Sequence, residues 1–374
     1  MLKRLISSRI EASLFKGRAI IIYGARQVGK TTLIHMLQKK YISNSIYLNC
    51  DEPDIRMALT DKTSAEIKNL IGKNRLIFID EAQRVKNIGI TLKMLVDQFP
   101  NKQVVATGSS SLDLSNEINE PLTGRKYEFQ LFPFSYLELL QKYSKIDCKR
   151  ILEKRMIMGM YPEIEEKPDE DRSLLRTLAS DYLYKDVLQY QDIRKPELLE
   201  KLLIALALQV GSEVSFNELS NLLGMNKKTV NQYIQLLEKA FVIFRLPPFS
   251  RNLRNELSKL RKIYFYDTGI RNALINNFNS LNMRQDVGAL WENFMISERI
   301  KACTNSGMEV NRYFWRTHQQ QEIDLIEEME GKLFGYEFKW KKGRWRAPRM
   351  FLESYKGSSV EVIHPDQYES FLMM

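Results

Sequence analysis

Gly24-Ala25-Arg26-Gln27-Val28-Gly29-Lys30-Thr31-Thr32 stands between the apolar run Ala19-Ile20-Ile21-Ile22-Tyr23 and a helix-like stretch. A glycine, four residues and then glycine-lysine-threonine is the spacing of a phosphate-gripping loop. Gly24 and Gly29 let the backbone turn tightly and aim N–H groups at phosphate oxygens. Lys30 then neutralises the outer phosphates, and the Thr31 hydroxyl reaches magnesium. The helix that starts near Gly29 adds the positive end of its dipole. The expected fold around this loop is a parallel α/β sheet.

A nucleotide site also needs a carboxylate for its metal. Leu76-Ile77-Phe78-Ile79-Asp80-Glu81 reads as a buried strand ending in two acids. Asp80 would hold Mg2+, directly or through water, and Glu81 would polarise an attacking water. A third apolar run, Gln103-Val104-Val105-Ala106, ends in Thr107-Gly108-Ser109-Ser110-Ser111. Its hydroxyls would reach the carboxyl edge of the sheet, where open α/β sheets bind ligands.

Tyr23 to Thr32, Ile79-Asp80-Glu81-Ala82-Gln83, Thr107-Gly108-Ser109-Ser110 and Leu122-Thr123-Gly124-Arg125 together resemble the AAA-type ATPases of archaea and bacteria that carry a poorly characterised carboxy-terminal region. The resemblance implies ATP and Mg2+ as bound species and a Mg-dependent ATPase activity. It makes Ser109 similar in position to a sensor residue, with Thr107 as the alternative. Arg125 resembles an arginine finger acting in cis or from a neighbouring copy, which would imply an oligomer. Its other reading is a surface arginine beside a turn glycine. Ser135 fits the family pattern in a structural role.

A chain of 374 residues is too long for one compact core and suggests two or three domains. No apolar stretch reaches membrane-spanning length, since Leu202 to Val210 is short and flanked by charge. Met1 to Arg9 is basic but lacks the apolar core of a signal peptide, so a cytoplasmic location is expected. Cys50, Cys148 and Cys303 are odd in number and far apart, and His35, His318 and His364 are equally scattered. Neither a disulfide framework nor a zinc cluster is indicated. The net charge of +10 favours polyanionic partners.

Ile151 to Tyr190 reads as helical, broken at Gly159-Met160-Tyr161-Pro162-Glu163. That element and the tyrosine-rich stretch Asp181 to Leu188 also resemble the same ATPases, as a nucleotide-sensing lid or as helical packing. Ser215 to Ile234 looks like a helix-turn-helix: Gly224 permits the turn, Asn226 caps the next helix, and Val230, Ile234, Leu237 and Phe241 face the core. Lys227, Lys228, Asn231 and Gln232 would face outward. Strand-like Phe241 to Leu246 and Ile263 to Asp267 then suggest a winged helix, joined by a basic connection with Arg251, Arg254, Lys259, Arg261 and Lys262. Such a module contacts DNA or serves as a protein-binding unit.

The last part carries a second acidic constellation. A helix at Gly288 to Glu298 precedes strand-like Arg312 to Arg316, then Gln321-Glu322-Ile323-Asp324-Leu325-Ile326, a turn at Glu330-Gly331, and Leu333 to Lys341. The hairpin would place Asp324 near Glu337, with Lys339 on the same face as Glu337. Asp324, Glu337 and the Phe338 carbonyl would suit a metal for phosphodiester hydrolysis, with Lys339 near the water and Glu292 as an added ligand. Residues Gly288 to Val362 resemble restriction-endonuclease-like nucleases, most closely the branch with archaeal junction resolvases, although Ile323 stands where a proline sometimes precedes the aspartate. Lys341 to Arg349 adds five cations around Trp345, suited to a nucleic-acid backbone or to solvent.

The sequence therefore divides into an ATPase part (1–150), a helical lid and winged-helix part (151–280) and a nuclease-like part (281–374). Three functions are consistent with it: an ATPase coupled to DNA, a nucleotide-dependent protein-binding switch with a non-catalytic nuclease-like module, or an ATP-regulated metal-dependent nuclease.

Overall fold

A computed structural model describes residues 2–108, 118, 120–167, 170–182, 195–249, 261–317 and 319–373. Strands β1 (Ala19–Tyr23), β2 (Ser45–Asn49), β3 (Leu76–Asp80), β4 (Gln103–Gly108) and β5 (Lys126–Gln130) make a parallel sheet in the order β2-β3-β4-β1-β5. β1, β3 and β4 are buried along their whole length, as near-continuous apolar strands covered on both faces must be. Ile20, Ile22, Phe78 and Val105 join one core with Leu33 and Leu37 of the Lys30–Lys40 helix. Ile21, Ile77, Ile79 and Ala106 face the opposite core. Because the strands are parallel, Gly24, Asp80 and the end of β4 share the carboxyl edge.

Helices Lys145–Met158, Pro162–Glu166 and Asp171–Thr177 follow, the first running across the expected boundary at 150. Residues 183–188 of the tyrosine-rich stretch lie outside the described residues. Next come helix Pro196–Leu208, β6 (Glu213–Val214), helices Phe216–Leu223 and Lys227–Lys239, β7 (Ile243–Leu246) and β8 (Arg261–Phe265). The three strands form an antiparallel sheet in the order β6-β8-β7. Asn226 Oδ1 accepts from Lys228 N at 2.7 Å, the cap expected from sequence. Asp267, read as strand, instead caps the helix Thr268–Leu274 through Ile270 N and also accepts from Met160 N at 2.7 Å.

The 20-residue helix Val287–Ser306 precedes β9 (Asn311–Arg316), β10 (Glu322–Met329), β11 (Lys332–Phe338) and β12 (Ser359–Ile363). Their order is β12-β11-β10-β9, antiparallel except for the β11/β12 pair. That helix is buried almost all round, with helix Lys145–Met158, helix Thr268–Leu274, β8 and β11 packed on it. Asn293 pairs with both backbone groups of Phe265 at 2.9 and 2.8 Å. Trp291 donates to Ile363 O. Glu298 accepts from Tyr136 N at 2.6 Å, and Lys301 reaches Phe134 O at 3.2 Å. One hydrophobic core accordingly runs from Ile20 through Leu203 and Tyr264 to Leu290 and Leu372. No described helix is long and apolar enough to cross a membrane.

Candidate nucleotide site

The loop leaves β1 at Tyr23 and enters the Lys30–Lys40 helix through Gly29, whose φ of +94° is left-handed. Gly24 is required for a different reason: a Cβ there would lie 2.2 Å from Leu131 O. Gly24→Ala must push backbone apart and is expected to cost about 1–3 kcal/mol in urea unfolding. The same variant should lose the stabilisation that ATP gives the wild-type chain.

Lys30 is buried, its Nζ 2.9 Å from both Gly24 O and Ala25 O. The ammonium thus rests inside the curl of the loop. Arg4 braces the same loop from outside, with Nη1 2.6 Å from Val28 O and Nε 2.9 Å from Glu138 Oε1. Nothing in the sequence around Arg4 marks it, since it reaches the loop only through the tertiary fold. Ser135 takes the structural role expected of it, in a capping box with Glu138.

Asp80 ends β3 beside the loop. Its Oδ2 accepts from Thr31 Oγ1 at 2.7 Å and from Tyr47 OH at 2.8 Å, and its Oδ1 accepts from Thr107 Oγ1. Tyr47, on β2, is another residue the sequence did not reveal. Burial and the Asp80 carboxylate push its phenol well above the ordinary range, so it remains a proton donor to Asp80. Thr107 also accepts from Glu81 N at 3.1 Å. It therefore ties both acids to the end of β4. Ser109, the first-named sensor candidate, lies outside the described residues.

Glu81 has φ +52° and ψ +42°, a left-handed conformation that costs a non-glycine residue about 1–2 kcal/mol. Strain of this kind collects where a side chain must be aimed. Gln83 Nε2 holds the Glu81 carboxylate at 2.6 Å. Glu81, Lys30, Thr31, Arg26, Gln27 and Thr32 line a cleft of about 640 Å3, together with Leu2, Phe134, Pro162 and Glu163. That size suits a nucleoside triphosphate. The hydroxyl and carboxylate that meet at Thr31 and Asp80 are hard oxygen donors, and they fit magnesium. A second cleft, of about 510 Å3, is lined by Arg9, Glu128 and Met308 and by none of the candidate site residues.

Arg125 is not brought to this cleft. Its carbonyl accepts from Ala19 N, at the amino end of β1, and its guanidinium pairs with Asp97 at 2.7 Å. A five-residue strand separates it from the loop by about 16 Å of sheet. The finger in cis is therefore corrected: Arg125 faces away from the phosphates of its own chain.

The second acidic constellation is assembled elsewhere. The β10/β11 register pairs Leu325 with Tyr336, which sets Asp324 opposite Glu337. Asp324 Oδ2 accepts from Phe338 N at 2.9 Å, and Lys339 Nζ lies 2.7 Å from Glu337 Oε1. Burial, with Asp324 alongside, pushes Glu337 up to about 7 and Glu292 up to about 8. Glu292 is bonded to Lys262 at 2.9 Å and to Tyr264 OH at 2.5 Å. Among the described residues no group of three His, Cys, Asp or Glu side chains is arranged to hold a metal. The Lys262 ammonium already stands between Glu292 and Asp324, at 2.9 and 3.6 Å, so as packed these acids do not fit a divalent metal as well. Lys262, expected in the basic connection, is instead a buried residue of β8. The three cysteines are buried and form no disulfide among the described residues, and burial pushes Cys50 up to about 12 and Cys148 up to about 11, as packing residues require.

Residues 16–140 match an AAA domain. That domain holds the loop, Asp80, Glu81 and Thr107, and it supports nucleotide binding and hydrolysis as the chemistry of the chain. Residues 149–281 match a domain of unknown function (DUF8612), and residues 287–366 match another (DUF4143). An uncharacterized protein of Mycobacterium tuberculosis is 28% identical over 343 residues, covering 90% of this chain and 74% of that protein. One of Methanocaldococcus jannaschii is 28% identical over 348 residues, covering 86% and 75%. Among solved structures, Pif1 helicase from Candida albicans overlaps at a TM-score of 0.26 with 15% identity and 48% of each chain covered. Drosophila ORC bound to GC-rich DNA and Cdc6 overlaps at 0.25 with 12% identity, covering 72% of this chain and 92% of that one. Overlaps this weak carry no functional argument.

Proposed function

We propose that the chain binds magnesium ATP in the cleft of its AAA domain, hydrolyses it, and passes the nucleotide state to action on DNA. The observation that carries hydrolysis is the convergence of Lys30, Thr31 and Glu81 on one cleft, with Asp80 bonded to Thr31 behind its wall. Loop N–H groups from Gly24 to Thr32 cradle the phosphates, and Lys30 swings from its loop carbonyls to the outer ones. Thr31 and Asp80 hold the metal, which supplies charge neutralisation when bound. Glu81 takes the proton of the attacking water. Arg125, if it acts, acts on a neighbouring copy.

Coupling is supported by the cleft wall itself. Phe134 lines the cleft, its carbonyl accepts from Lys301, and its N–H donates to Met160 O at 2.8 Å. A change at the cleft thus has a bonded route to the Val287–Ser306 helix and, through Met160 and Asp267, to the middle of the chain. The order helix, β6, two helices, β7, β8 supports the winged-helix reading, and Lys227, Lys228 and Gln232 are exposed on its second paired helix. Arg344, Arg346 and Arg349 are exposed as well. The basic connection through 251–260 lies outside the described residues.

Turnover is expected to rise with duplex, branched or single-stranded DNA and to fall back with salt. Lys227→Ala/Lys228→Ala should lower the salt slope of DNA binding by about 2, one for each phosphate that is no longer neutralised. A salt-insensitive rate with no DNA retention would sink the DNA reading. A second reading, a nucleotide-dependent protein-binding switch with a non-catalytic nuclease-like module, is favoured by the ammonium group set among the C-terminal acids.

A further inference from the structure

Lys262 lies on β8, in the middle sheet, yet its side chain enters the C-terminal part and is 2% exposed. Its Nζ is 2.5 Å from Glu322 Oε1, 2.9 Å from Glu292 Oε1 and 3.6 Å from Asp324 Oδ1. The Phe314 ring covers it at 5.7 Å. Three carboxylates from one helix and one strand therefore converge on a cation that belongs to a different sheet. A lysine ammonium is a compact point charge on a long stem, well suited to this reach. The oxygens stand at ammonium distances, whereas magnesium needs about 2.0–2.1 Å. Beside them, Glu337 Oε2 is buried with no hydrogen-bond partner among the described residues. The cluster thus has the charge and an open oxygen for a cation, but a tethered one is already in place.

We propose that Lys262 is a built-in cation that occupies the C-terminal carboxylate cluster in place of a divalent metal, so that seating of β8 and metal loading exclude one another. Whatever brings β8 against the C-terminal sheet then keeps that sheet from metal-dependent chemistry. Pairing of Phe249 N with Phe314 O at 2.6 Å and of Phe314 N with Pro247 O at 2.9 Å fastens the two sheets beside the lysine. Neither the cluster nor its cation touches the ATP cleft, and the inference stands apart from hydrolysis.

The test is Mn2+ binding to the full chain without nucleotide, followed by electron paramagnetic resonance. Wild-type protein is expected to show no site that Asp324→Asn removes. Lys262→Met should gain one Mn2+ site, at least tenfold tighter than any wild-type binding, and Lys262→Met/Asp324→Asn should lose it. If Lys262→Met does not fold, Lys262→Met/Glu292→Gln removes the ammonium together with one of its carboxyl partners, and the same gain is expected there from Glu322, Asp324 and Glu337. Wild-type Mn2+ binding that disappears in Asp324→Asn would overturn the proposal, as would a folded lysine variant that binds no Mn2+.

Discussion

Glu81→Gln is expected to keep ATP binding and to lower turnover by about 10²–10⁴-fold, the share of rate that a positioned base supplies. Glutamine preserves the size of the side chain and can still meet Gln83, so the left-handed turn at residue 81 need not relax. What it cannot do is take a proton. Asp80, 2% exposed and holding the hydroxyls of Thr31, Tyr47 and Thr107, is committed to other bonds and is not a substitute base. Binding should be read by calorimetry and turnover by phosphate release, on the same preparation. Unchanged turnover would remove Glu81 from the chemistry.

Lys262→Met is expected to destabilise the chain by about 3–5 kcal/mol at pH 8, as loss of one partner does when the opposite charges stay buried. The pH dependence has a definite sign. In the folded chain Glu292 is pushed up to about 8 and Glu337 up to about 7, each chiefly by burial, from an ordinary 4.5. Asp324 is also raised by burial, while Lys262 pulls both Glu292 and Asp324 down and Lys339 opposes the rise of Glu337. A carboxyl with a raised folded pKa contributes stability below its unfolded value and loses it as the pH climbs through the folded one. Without Lys262 the acids near Tyr264 and Glu322 lose their counter-charge, so the deficit should be small near pH 5 and grow towards pH 8. Urea midpoints across that range measure it. A deficit that shrinks as the pH rises would show that Lys262 is not their counter-ion.

The loop and Asp80 could be read in the sequence because their chemistry is local: a fixed spacing of glycines, one lysine and a strand ending in an acid. The cap at Asn226 was legible for the same reason. Tyr47 and Arg4 were not, since each meets the site only when β2 and the amino-terminal segment fold onto it. Of the two readings of Arg125 the finger in cis fails, because a residue just before a parallel strand lies at its amino edge, and the surface arginine beside a turn glycine is what the structure has. Lys262 read as one of several surface cations. Which face of β8 it takes depends on the C-terminal sheet that packs there, and no periodicity in a five-residue strand gives that. The Asp324 and Glu337 pairing was visible from hairpin register, but its cation was not.

Phosphate release from magnesium ATP by the full chain, compared with Lys30→Ala, tests the nucleotide site most directly. Wild-type protein should turn over ATP saturably, and Lys30→Ala should lose both turnover and ATP binding, because its ammonium sits within the curl of the loop. Turnover that persists in Lys30→Ala, or a wild-type chain that neither binds nor hydrolyses ATP, would contradict it.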